Sequence, residues 1–213
     1  MTPAAIAFVA GVSALGAVLG ATVLPWWADR ESRSAARSGV RTRVAGAGVT
    51  AVAFGVLAAR VGVDALLPAF VAVMAVGTAI SIVDLREKRI PNRMLLVAGP
   101  AVALLLAAGL LVRGEPARLL AVLAGAAAMF ALYFLIALVV PAAMGMGDVK
   151  LAALLGGALG AVGLTGWLVG LLAAFLVGGV VALIALVAGR VGLRGSIPFG
   201  PWMIVGTLVG LTF

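Results

Sequence analysis

The 213-residue chain contains no cysteine and no histidine. The first absence excludes disulfides, thiolate zinc sites and cysteine nucleophiles, and the second excludes every imidazole-based acid, base or metal ligand. Charge is scarce as well: 10% of the residues are charged, where an average soluble domain has about 25%. With 65% hydrophobic residues and a mean hydropathy of +1.30, the chain cannot cover its surface with polar groups. Most of that surface must face lipid or other lipid-embedded helices. The titratable groups left for chemistry are mainly seven carboxylates: Asp29, Glu31, Asp64, Asp84, Glu87, Glu115 and Asp148. The net charge of +8 does not point to nucleic acid. That would need one contiguous basic face, and the arginines lie instead in short loops beside apolar runs.

Eight apolar runs can be counted, separated by charge or by Gly and Pro: Pro3–Trp27, Val44–Ala59, Leu66–Val83, Met94–Val112, Leu119–Val140, Val149–Gly163, Gly166–Ala188 and Phe199–Phe213. A span needs about 20 residues; the second, sixth and eighth runs are shorter than that. The pattern predicts an all-α fold, a polytopic membrane bundle of about eight transmembrane helices, forming a single membrane-embedded domain over residues 1–213. The first run is too long for a secretory signal and its charges follow rather than precede it. It is expected to be a retained span with its N-terminus outside.

The loops then fall alternately on two sides. Asp29–Arg43, Asp84–Arg93, Ala142–Lys150 and Gly189–Pro198 carry twelve basic residues, among them Arg190 and Arg194; the other side carries three, Arg60, Arg113 and Arg118. This bias assigns the first set to the cytoplasm; the chain is expected in the plasma (inner) membrane. Trp26 and Trp27 end the first run where an interfacial aromatic belt belongs. The longest loop, about residues 28–43, is basic and Ser-rich without apolar periodicity, and is expected to be a charged surface segment.

On this topology Asp84, ending the third run in "AISIVDLREKRIPN", and Asp148, entering the sixth in "AAMGMGDVKLAAL", share one membrane edge. Asp64 and Glu115 fall on the other side, and Asp29, Glu31 and Glu87 sit among arginines. Gly145 and Gly147 permit a tight, irregular entry into a helix whose free N–H groups and dipole favour an anion at Asp148. An ionisable group within a span is a functional candidate by default. Two such acids at one depth could share a proton, one acting as general base on water and the other polarising a peptide carbonyl. Plainer readings stand beside this one: a helix cap for Asp148, and a juxtamembrane charge held by Arg86, Lys88 or Arg89 for Asp84. A small proton- or cation-coupled transporter could use the same pair. Spacing alone does not bring the two together.

These residues resemble the motifs of the type 4 prepilin peptidases, membrane aspartyl endopeptidases of the GxGD type. "GMGDVK" (Gly145–Lys150) is similar to that family's second catalytic motif. Asp84, six residues before Ile90-Pro91-Asn92, is similar to its first, and "SIPFGP" (Ser196–Pro201) to its motif before the last helix. The resemblance runs from about Val71 to Phe213. It implies eight helices, Asp84 and Asp148 as the catalytic pair, no cofactor, and prepilin-like substrates whose hydrophobic N-terminal helix follows a short basic leader. Cleavage on the cytoplasmic side is implied too. Gly145, Gly147, Ile90, Pro91, Asn92, Pro198, Gly200 and Pro201 are then expected to support the site. Lys150 matches the motif, but on a helix it points away from Asp148, as an interfacial snorkelling lysine would. One departure is plain. Many bacterial members carry a cysteine-rich segment after the first helix, linked to N-methylation of the new terminus. The segment here is short and has no cysteine, so a peptidase-only form is expected.

Overall fold

The computed structural model describes residues 2–35, 37–140, 144–189 and 197–213. Of the positions singled out above, Arg190, Arg194, Ser196 and the start of the Ala142–Lys150 loop lie outside the described residues. The described residues form nine helices and no strand: α1 (Pro3–Ala21), α2 (Val23–Glu31), α3 (Val40–Val61), α4 (Leu67–Glu87), α5 (Asn92–Val112), α6 (Arg118–Val139), α7 (Met146–Val162), α8 (Leu164–Val187) and α9 (Gly200–Thr212). Six segments are long and apolar enough to cross a membrane: the α1–α2 pair, α3, α4, α5, α6 and α8. α7 and α9, with 17 and 13 residues, are shorter. The all-α bundle expected from composition is what forms.

Nine helices replace eight because the first run breaks. Pro25 has no N–H to give to the carbonyl four residues back, and at Thr22 the backbone leaves helical angles (φ −123°, ψ −77°). Helix then resumes as far as Glu31, beyond the expected end at Trp27. α3 likewise begins at Val40, before the apolar run at Val44. Both extensions run through polar residues, which hydropathy cannot separate from loop. The expected loop over 28–43 is therefore only residues 32–39.

That loop is pinned to the end of α4. Arg86 pairs with Asp29 at 2.9 Å and donates to the Ser38 hydroxyl. The Ser38 N–H and hydroxyl in turn donate to Asp29. Glu87 accepts from the Ser32 hydroxyl, the Arg33 N–H at 2.8 Å and the Ser34 N–H at 3.1 Å, and it pairs with Arg89 at 2.6 Å. At the other end of the bundle, Arg113 lies 3.6 Å from both Asp64 and Glu115, and Arg118 pairs with Glu115 at 2.9 Å. The 21 residues of α4 put these ends about 30 Å apart, the thickness of a bilayer core.

Three hairpins make the closest packing, α1 against α3, α6 against α7 and α8 against α9. Each seam is lined by small residues that let backbones approach, as in many membrane bundles. Gly16 faces the Thr50 carbonyl, Gly125 packs on Gly160, and Gly166 faces the Gly210 carbonyl. α4 runs through the centre and touches α1, α2, α3, α5, α7 and α9. Its Phe70, Val73, Met74 and Ile80 are buried, and Thr78 returns its hydroxyl to the Met74 carbonyl. Leu104, Leu123, Leu138, Leu172 and Leu176, on α5, α6 and α8, are left exposed. In lipid that exposure carries no penalty.

Candidate active site

Six of the seven acids fall into two groups; Glu31, the last residue of α2, forms no ion pair among the described residues. Asp29, Asp64, Glu87 and Glu115 are each paired with an arginine. Asp84 and Asp148 pair with no basic side chain among the described residues; their carboxylates accept only backbone N–H groups.

Asp84 lies on the last turn of α4 and is 3% exposed. The N–H of Gly200, the first residue of α9, donates to its Oδ2 at 3.0 Å. A side chain at position 200 would lie 2.9 Å from that same oxygen, so glycine there lets backbone, rather than a side chain, meet the carboxylate. After Asp84 the helix stops sharply. Lys88 takes the left-handed conformation (φ 50°, ψ 42°) and its N–H closes on the Asp84 carbonyl at 2.8 Å. Ile90 and Pro91 are buried, Pro91 is the N-cap of α5, and Asn92 is that helix's first residue.

Asp148 is half-buried at the third position of α7. The helix starts at Met146, earlier than the apolar run suggested, so Asp148 is not itself the cap. Gly145 is the cap, and its N–H donates to Asp148 Oδ2 at 3.0 Å. This is half of a capping box, with the acid reaching back to an otherwise unpaired donor. Gly147 packs on Ile90, where a Cβ would come within 2.8 Å of the Ile90 Cβ. Ile90 also reaches Gly200, with its Cδ1 at 3.6 Å from a Cβ placed there. One buried side chain thus fills the space between the entries of α7 and α9. The N-termini of two helices converge on the acids, and there free N–H groups and the helix dipole favour negative charge.

α4 and α7 are in contact, and the two carboxylates lie within electrostatic reach of each other. Of the residues expected to support the site, Gly145, Gly147, Ile90 and Gly200 are brought to the acids. Pro91 shapes the turn beside them. Pro198 lies in the segment leading into α9, and Pro201 is in the first turn of that helix. Lys150 and Asn92 have a different part: the Lys150 ammonium donates to Asn92 Oδ1 at 2.9 Å, tying α7 to the start of α5. This pair stands at the rim of an apolar groove of about 540 Å³ between α5, α6 and α7, lined deeper by Gly99, Leu106, Ala126 and Phe130. The sequence marked both residues but gave no sign that they meet across 58 positions. It also gave no sign of Tyr133, a fully buried residue of α6 within electrostatic reach of Asp148. Among the described residues no three acidic side chains gather as a metal-binding set.

Comparison with known proteins agrees with the motifs. No curated protein and no solved structure matches the chain. The model of the type IV leader peptidase family does, over residues 71–183, more than half of the chain and a span that holds Asp84, the Ile90-Pro91-Asn92 turn and the Gly145–Lys150 motif. The family implies peptidase activity on prepilin-like substrates. With its apolar helical bundle, the chain belongs to the type IV leader peptidase family as a multi-pass membrane peptidase.

Proposed function

We propose that this chain is an aspartyl endopeptidase that removes the short basic leader of prepilin-like proteins at the cytoplasmic face, with Asp84 and Asp148 as its catalytic pair. The observation that carries this reading is the contrast among the acids. Four are neutralised by arginine and Glu31 lies apart at the end of α2, while Asp84 and Asp148 lie within electrostatic reach of each other and, among the described residues, accept from backbone donors alone.

Two carboxylates in this situation share a proton. The ionised one takes a proton from water as the water oxygen bonds to the scissile carbonyl carbon. The protonated one gives its proton to the carbonyl oxygen, whose π electrons become a lone pair. One hydroxyl of the tetrahedral carbon then returns its proton to the ionised carboxylate as the carbonyl reforms; the C–N bond breaks, the leaving nitrogen takes the proton of the other carboxyl, and the pair again holds one proton with one water consumed. The substrate's hydrophobic helix lies in the bilayer beside the bundle, with its scissile bond at the depth of the acids. The dry helix packing around Asp84 excludes competing water.

The chain sits in the plasma membrane with its N-terminus outside, so that Asp84, Asp148 and residues 32–39 are cytoplasmic. It has no N-methyltransferase activity, because eight loop residues without cysteine leave no such segment. Co-expression with a prepilin and mass spectrometry of the product test the reading: leader removal by the parent protein supports it, and an intact leader in a well-inserted preparation refutes it.

A further inference from the structure

Tyr133 is the only tyrosine of the chain. Its side chain is fully buried, and its hydroxyl has no hydrogen-bond partner among the described residues. Buried hydroxyls are bonded in the great majority of folded proteins, so an orphan in the interior needs a reason.

The packing of α6 on α7 supplies one. Two backbone approaches fix the register of this hairpin: the Gly125 carbonyl meets Gly156, and the Ala121 carbonyl meets Gly160. Four residues forward on α6 are thus four residues back on α7, and the helices run antiparallel. Continuing in steps of four, which keep to one face of a helix, Met129 comes opposite Ala152 and Tyr133 opposite Asp148. The tyrosine ring is also held from the other side of the site. It packs on Phe175 at 5.5 Å and on Phe199 at 6.3 Å between centroids, and Phe199 immediately precedes the glycine that holds Asp84. The ring therefore bridges the entries of α7 and α9, and its one polar atom has no partner among the described residues.

We propose that Tyr133 is a third functional group of the site, its hydroxyl donating a hydrogen bond to the attacking water held at Asp148. The proposal rests on the acid-pair reading above. In that hydrolysis the water gives its proton to a carboxylate and its oxygen bonds to the carbonyl carbon; Tyr133 makes and breaks no covalent bond and keeps its own proton. A fixed donor on one lone pair of the water aims the other at the carbonyl, which is positioning by a preorganised dipole.

The experiment is steady-state cleavage of a purified prepilin-like substrate by the full-length protein, comparing Tyr133→Phe with the parent. Removing one oxygen from an unbonded site should leave the thermal unfolding midpoint unchanged or raised. kcat should fall about 100-fold while KM stays within about threefold, the signature of a group that acts on the transition state rather than on binding. Tyr133→4-aminophenylalanine restores a donor and should recover at least about tenfold of the lost kcat. Wild-type kcat in Tyr133→Phe, loss of stability and cleavage together, or no recovery with the amino side chain each overturn the proposal. If Asp84→Asn or Asp148→Asn still cleaves, the acid-pair reading itself fails; if both are inactive and Tyr133→Phe is fully active, only the role of Tyr133 fails.

Discussion

At the scale of single residues, the site depends on glycines that let backbone stand where a side chain would intrude. A methyl group at position 200 would lie 2.9 Å from the Asp84 carboxylate, forcing it off the N–H that holds it. Gly200→Ala should therefore insert normally and cleave about 100-fold more slowly, as misplacement of a reacting group by about 1 Å can cost. Leader removal followed over time checks this, and a wild-type rate would show that the Gly200 contact is dispensable. Lys150 and Asn92 are coupled by one charge-assisted hydrogen bond between exposed groups. In a double-mutant cycle of Lys150→Met and Asn92→Ala, denaturant unfolding in detergent should give a coupling of about 0.5–1 kcal/mol. Strict additivity would mean that the pair does not hold α5 to α7. Lys88, in a left-handed conformation at the end of α4, should not tolerate a β-branched residue: Lys88→Val is expected to lower stability by about 1–2 kcal/mol.

At the scale of elements, the α6–α7 hairpin sets where Asp148 stands relative to the rest of the site. Gly156 leaves no room for a side chain, since a Cβ there would lie 2.5 Å from that of Met129. Gly156→Val should cost about 3 kcal/mol by overpacking, and an unchanged unfolding midpoint would contradict the seam described here. Such seams are only partly legible in sequence. Hydropathy locates the apolar runs because lipid-facing Leu and Val dominate them, and the motifs locate Asp84 and Asp148. The break at Thr22, the polar first turn of α3 and the entry of α7 at Met146 escape it, because a helix can continue through polar residues without any change in periodicity. The contacts that build the site escape it more completely. Gly200 reaches Asp84 across 116 positions and Lys150 reaches Asn92 across 58. Tyr133 is marked only as the single tyrosine of the chain, and nothing local brings it to Asp148.

At the scale of the whole molecule, the two ends of the bundle differ. One carries the acids and the arginine-pinned residues 32–39, and the other carries the Asp64, Arg113, Glu115 and Arg118 cluster. The cysteine-free chain makes the proposed orientation easy to test. In intact cells a membrane-impermeant maleimide should label a Val63→Cys variant and spare a Gly39→Cys variant, which should react only after the membrane is opened. The reverse pattern would put the acids on the wrong side for cytoplasmic leaders. The central claim is that Asp84 and Asp148 together activate one water against a peptide bond, and leader removal by Asp84→Asn and Asp148→Asn, each normally inserted, tests it most directly. Intact leader on the prepilin in both variants, read by mass spectrometry, is the result predicted; cleavage at the parent rate by either one would contradict it.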